Sequence, residues 1–141
     1  RYRLMWNGVK YAPGTLKVVA YDAQGRAAAE EVVKTAGKPH HIRLVADHTA
    51  LAADGQDLAF VTARVEDAQG NLCPDATTEL QFAVSGAGHF RAVEPFQRPQ
   101  MHVFHGQVVA IVQAAGPAGT VRLKATSKGL KDGVVELKTA K

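Results

Sequence analysis

The residues of this 141-residue chain whose types could do chemistry are six histidines, a few adjacent carboxylates and one thiol. The nearest approach to a metal-ligand set is His102-x-x-His105 with His89 upstream, and His40-His41 forms a second pair. Imidazole binds zinc-like cations when three or four ligands converge on one point. On an extended strand, residues three apart leave on opposite faces, so His102 and His105 diverge unless the backbone bends. The histidines therefore read as solvated or hydrogen-bonded side chains, with neither a metal nor a cofactor expected.

The close carboxylate pairs are Asp54 with Asp57, Glu30 with Glu31, and Glu66 with Asp67. Glycoside hydrolysis needs two carboxyl groups facing one another across a cleft, about 5 to 9 Å apart. Each of these pairs falls at a turn or on a strand exterior and reads as turn-forming or solubilising. Cys73, the single cysteine, excludes an internal disulfide and has no neighbouring His or Lys in sequence to lower its pKa. No Gly-x-Ser-x-Gly elbow, phosphate loop or Cys-His arrangement is present. No catalytic residue is assigned.

The elements that must carry these side chains alternate with period two and are punctuated by Gly, Pro, Asn and Asp. Seventeen valines and nine threonines favour a pleated surface. Thr15 to Asp22 and Arg26 to Thr35 read as strands around the loop Asp22-Ala23-Gln24-Gly25. Ala27 to Lys34 also tolerates a helical reading, but it follows a turn and lacks a cap. Ala59, Val61, Ala63 and Val65 line one face of a long strand that ends in a second Asp-Ala-Gln-Gly, residues 67–70. Leu80, Phe82 and Val84 make another inward set, and Val121, Leu123 and Ala125 a third. Val108 to Gln113 is apolar on both faces, as a strand covered on either side would be.

About seven strands follow residue 40, with turns at the spacing of antiparallel sandwiches. The expected fold is all-β: an immunoglobulin-like sandwich over 38–141, preceded at 1–37 by about three strands, too few to enclose a core. Those strands, opening on Tyr2 to Trp6, read as the end of a truncated sandwich. Arg1 at the start suggests an excised piece of a longer chain.

Lys and Arg exceed Asp and Glu by 17 to 13, giving a net charge of +4. The arginines are scattered and not interleaved with aromatics, so nucleic acid is not an expected partner. No run approaches the roughly 20 apolar residues of a membrane helix, and membrane insertion is not expected. Tyr2, Trp6, Tyr11 and Tyr21 could form a saccharide platform, but inter-module packing accounts for them more simply. The irregular stretch from Glu94 to His102 is the most adaptable surface.

Two groups of residues carry a family resemblance. Leu4-Met5-Trp6, Val9 to Asp22 with its Tyr11-Ala12-Pro13-Gly14-Thr15-Leu16 and Ala20-Tyr21-Asp22 elements, and Val33-Lys34-Thr35-Ala36-Gly37 form the first. Ile42-Arg43-Leu44, Ala53 to Thr62, Val65-Glu66-Asp67, Gly70-Asn71 and Phe82 to Gly86 form the second. They resemble, respectively, the end of the sandwich after the catalytic barrel and the C-terminal immunoglobulin-like domain of glycoside hydrolase family 2 β-galactosidases. The resemblance implies a retaining β-glycosidase as parent, acting on β-galactosides and periplasmic or secreted in a Gram-negative bacterium. Its catalytic glutamates belong to the barrel and match nothing here. This piece would be a non-catalytic accessory module that supports, spaces or oligomerises the enzyme, its partners being the preceding domains or a second copy. The loop at Val93-Glu94 is shorter than the resemblance implies.

A second reading comes from another class. The Ala53-Asp54-Gly55-x-Asp57-Leu58 segment, the Val65 to Asn71 turn and Phe82-x-Val84-Ser85-Gly86 also occur in invasin-type immunoglobulin-like spacer repeats of bacterial adhesins. Tandem repeats would place a similar unit before residue 38, and Tyr11-x-Pro13-Gly14 argues against that.

Overall fold

Alternating apolar side chains need a surface on each side of the chain, one dry and one wet, and two facing sheets supply it. A computed structural model describes residues 5–91 and 99–141. The described residues are all-β, with eleven strands and no helix. Residues 2–4 of the expected first strand and 94–98 of the proline-bearing loop lie outside them. Met5 and Trp6 are irregular.

The chain divides into two units, 1–35 and 36–141. In the first, β1 (Thr15–Tyr21) pairs antiparallel with β2 (Ala27–Lys34), so the helix-tolerant segment is a strand. Leu16 faces Val33 and Val18 faces Glu31 across the hairpin. Such a two-stranded sheet shields little of its apolar surface, and Leu16, Val33 and Tyr21 are exposed.

The second unit is a sandwich. One sheet has the order β4 (Ala50–Ala52), β11 (Gly133–Ala140), β10 (Gly119–Thr126), β6 (Glu79–Gly86), β8 (Gln100–His102). The other runs β3 (His41–Ala46), β5 (Leu58–Glu66), β9 (Gln107–Ala114), β7 (Gly88–Arg91). All pairings between these strands are antiparallel except β4 with β11. The core lies between the sheets. Ala59, Val61, Ala63 and Val65 enter it from β5, facing Leu80 and Phe82 of β6, Val121 and Leu123 of β10, and Leu137 of β11. Phe82 stacks on Phe90 of β7 across the sandwich, with ring centroids 5.8 Å apart. Burying a leucine side chain such as Leu123 contributes about 1.5–3 kcal/mol.

Two features depart from expectation. The three-residue strands β4 and β8 are additional to the seven foreseen. The outward face of β9 is not covered among the described residues: Ala110, Val112 and Ala114 are buried, but Val109 is 45% exposed.

The repeated Asp-Ala-Gln-Gly segments make the same turn twice. Asp22 N–H donates to Arg26 O, and Asp67 N–H to Asn71 O, each at 2.9 Å. In each turn the aspartate Oδ1 accepts from the amides two and four residues on. The glycine that closes each turn, Gly25 or Gly70, sits at φ +76° or +84°, where a side chain is strained.

Candidate functional site

The histidines nearest to a ligand set in the sequence are placed on separate elements. His89 lies on β7 of one sheet, His102 on β8 of the other, and His105 in the turn before β9. His102 Nδ1 donates to Thr77 O at 3.2 Å. Among the described residues, no group of three or more His, Cys, Asp and Glu side chains could hold a cation. Of the aromatic platform, Trp6, Tyr11 and Tyr21 are exposed, and Tyr2 falls outside the described residues.

One shallow concavity, of about 320 Å³, is lined by Thr78, Glu79, Gln81, Gln100, Thr126, Ser127 and Lys128. Its hydroxyls are partly saturated, since Thr78 Oγ1 and Ser127 Oγ lie 2.7 Å apart and Ser127 also donates to Glu79 O. Glu79 is the single carboxylate in the lining, whereas hydrolysis by the two-carboxylate route needs a facing pair.

The densest grouping of ionisable side chains surrounds Glu66 and Asp67. Asp67 closes a turn as expected, but the reading of the pair as exterior and solubilising is corrected, since both residues are about 1% exposed. The turn over 67–71 folds back on the end of β5, and Leu72 bridges to Glu66. Glu66 Oε1 lies 3.3 Å from Arg64 Nε, and Oε2 lies 3.4 Å from His41 Nε2. Neither Glu66 oxygen nor Arg64 Nε meets hydrogen-bond geometry, so the Arg64 contact is one of charge alone. Such a buried carboxylate is held by charge and has desolvation to offset.

Asp67 is the opposite case. Its Oδ1 accepts from Gln69 and Asn71 N–H, and its Oδ2 from Gly37 N–H at 2.8 Å and Asn71 Nδ2 at 2.9 Å. These donors, Gly37 foremost, hold its carboxyl well below the usual carboxylate range, against the opposing effect of desolvation. A carboxylate with four donors has no lone pair left for a substrate proton or an anomeric carbon.

Nearby, Cys73 Sγ donates weakly to Gly37 O at 3.6 Å. Burial, and then the Asp67 and Glu66 charges, push its thiol pKa up, which suppresses the nucleophilic thiolate. His40 N–H donates to Glu66 O, and Lys131 N–H to His40 O. The grouping is therefore an anchor. It fastens residues 37–41 to the body of the sandwich, and its groups are arranged to be occupied and not to react. The anchoring role of Gly37 was foreseeable only from the second Asp-Ala-Gln-Gly turn, whose aspartate has an oxygen to spare for a distant amide.

Residues 42–136 match the family model described as glycoside hydrolase family 2 C-terminal domain 5, and residues 1–29 match a domain of unknown function, DUF4982. The β-galactosidase BoGH2A of Bacteroides ovatus is 42% identical over 137 residues, spanning 92% of this chain and 16% of its own. A β-glucuronidase of Formosa agariphila is 28% identical over 98% of this chain and 15% of its own. The crystal structure of a glycosyl hydrolase family 2 member from Bacteroides cellulosilyticus superposes with a TM-score of 0.84 at 27% identity, covering 94% of this chain and 18% of that one. The D00-D0 domain of intimin superposes at 0.55 with 17% identity, a likeness of fold alone. The chain thus spans less than a fifth of the length of these enzyme relatives.

Proposed function

This chain belongs to glycoside hydrolase family 2, most of it being that family's C-terminal domain 5, and from that we propose how it serves a parent enzyme. It is a non-catalytic accessory module, and the 42% identity to a β-galactosidase makes a retaining β-galactosidase the best-supported parent. The observation that carries the reading is the family match over residues 42–136. The state of the buried carboxylates agrees with it, Glu66 being enclosed and Asp67 saturated. The first unit, with its exposed hairpin, is on this reading the last portion of a preceding sandwich domain whose other strands cover Leu16 and Val33. The parent works in the periplasm or outside the cell, where oligosaccharides too large for ready uptake are met.

The test uses an aryl β-galactoside and two proteins, the parent polypeptide and the 141-residue chain. The parent is expected to hydrolyse it with retention and the chain alone to leave it intact. Deleting the module should lower the parent's inactivation temperature while leaving the bond cleaved unchanged. Turnover by the isolated chain, or an upstream sequence with no family 2 barrel, overturns the proposal, and cell fractionation tests the location.

A further inference from the structure

The outward faces of the two sheets differ in a way that solvent exposure alone does not require. On the five-stranded sheet the charges pair across strands: Arg122 reaches Glu136 at 4.0 Å, and Lys124 reaches Asp132 in the adjoining turn at 2.8 Å. Val134, 43% exposed, stands alone there opposite Lys124, and the charges around it make an ordinary wet surface.

The four-stranded sheet carries an apolar centre. Its register aligns Val45, Thr62 and Val109 in one row, and sets Phe60 beside Ile111 in the next. Val45, Phe60 and Val109 are 41%, 45% and 45% exposed. Cations flank this centre. Arg43 stands directly opposite Arg64 on one side, and Arg91 neighbours Ile111 on the other. Like charges facing one another across a ladder destabilise it. The carboxylate nearest Arg64 is Glu66, which is buried, and Asp47 at the corner is engaged by His48. Among the described residues, neither Arg43 nor Arg91 meets a carboxylate.

We propose that this face docks on a domain of the parent enzyme encoded upstream of Arg1, against a surface with an apolar centre and carboxylates at its margin. The inference rests on the parent-enzyme reading above. Charge selects the occupant: a second copy placed face to face would oppose Arg43, Arg64 and Arg91 with the same cations, whereas an acidic margin relieves the Arg43–Arg64 opposition. Size points the same way. Four strands about 4.8 Å apart give a patch of roughly 300–400 Å², well under the ~800 Å² per partner that separate chains need. A domain on the same polypeptide needs less, because the tether holds it at a millimolar-range effective concentration.

The test compares side-chain reactivity in the parent polypeptide and in the 141-residue chain. Hydroxyl-radical oxidation reads Phe60, and phenylglyoxal reads Arg43 and Arg91, with Arg122 on the other sheet as control. Protection of all three residues by about fivefold or more in the parent is expected, with Arg122 unchanged. At 1 M salt, where screening acts within about 3 Å, part of the arginine protection should disappear. Phe60→Asp in the parent should return Arg43 to the reactivity of the isolated chain. Equal labelling in both proteins overturns the proposal. So does protection that grows with concentration of the isolated chain, which signals self-association, or protection that needs an added anionic polysaccharide. A parent without a family 2 barrel fails the functional reading; a barrel-bearing parent with Phe60 fully reactive fails only this one.

Discussion

Gly37 and Asp67 are thirty residues apart in sequence, yet the Gly37 amide donates to Asp67 Oδ2 at 2.8 Å. The same carboxylate closes the turn over 67–71 through its other oxygen. One side chain thereby ties the segment entering the sandwich to a hairpin inside it. Asp22 closes an equivalent turn, but its Oδ2 meets only the exposed side chain of Arg26. The chain therefore contains its own control.

Asp67→Asn is expected to lower the unfolding midpoint of the sandwich distinctly more than Asp22→Asn lowers that of the hairpin. Asparagine can keep one oxygen acceptor for the turn, but it then turns an NH₂ toward the Gly37 N–H, donor against donor. Hydrogen exchange at the Gly37 amide should accelerate by about tenfold or more in the variant, a loss of roughly one hydrogen bond's worth of protection. Unchanged exchange at Gly37 would show that the amide is held by something else.

Asp67 also sets a pH dependence. Its donors favour the charged form, so its folded pKa lies below its unfolded value of about 3.9. For a depressed carboxyl, the stabilisation is present above the unfolded pKa and is lost as pH falls through the folded one. Urea midpoints should be level in this respect above about pH 5 and decline below about pH 4. The decline should be shallower in Asp67→Asn, and parallel curves would count against the assignment.

Gly86 and Gly25 both have positive φ but differ in surroundings. A Cβ on Gly86, at φ +87°, would fall on the Thr120 carbonyl oxygen, where β6 and β10 pair. A Cβ on Gly25, at φ +76°, meets nothing within 4 Å. Gly25→Ala should cost about 1–2 kcal/mol, the strain of the backbone alone. Gly86→Ala should cost about 4 kcal/mol or more, or prevent folding of the sandwich, because backbone must move. Urea titration of the two variants separates these outcomes.

Cys73 should be chemically quiet until the sandwich opens. Its side chain is buried and its thiol is kept protonated, first by burial and then by Asp67 and Glu66. Alkylation in native buffer is expected to be at least about a hundredfold slower than in denaturant. Asp67→Asn removes one of the two charges and should raise the native rate. A native rate close to that of a free thiol would contradict the placement.

The parts of the fold legible from residue order are those where a local rule and the tertiary packing agree. Ala59, Val61, Ala63 and Val65 alternate and are all buried, and Asp22 to Gly25 and Asp67 to Gly70 turn as their composition requires. Strands β4 and β8 were not legible, since three residues are too few to display a period of two; their partners on β11 and β6 create them. The burial of Glu66 was hidden for a different reason. A glutamate at a strand end reads as exterior, and only the positions of Arg64, His41 and the returning turn enclose it. The outward apolar residues of β9 read in sequence as a covered face, yet Val109 is 45% exposed among the described residues, since an apolar run alone does not say whether a neighbour lies on its second side.

The parallel pairing of strands β4 and β11 has a mechanical consequence. It joins the second strand of the sandwich to its last through Lys138 N–H to Thr49 O and Ala53 N–H to Ala140 O, each at 2.8 Å. A pull on the two ends in opposite directions runs along these strands, so the bonds are loaded together and not peeled one by one. Tension applied between the ends of these two strands would thus meet a clasp, and the module would yield abruptly at high force where a terminal hairpin would unzip.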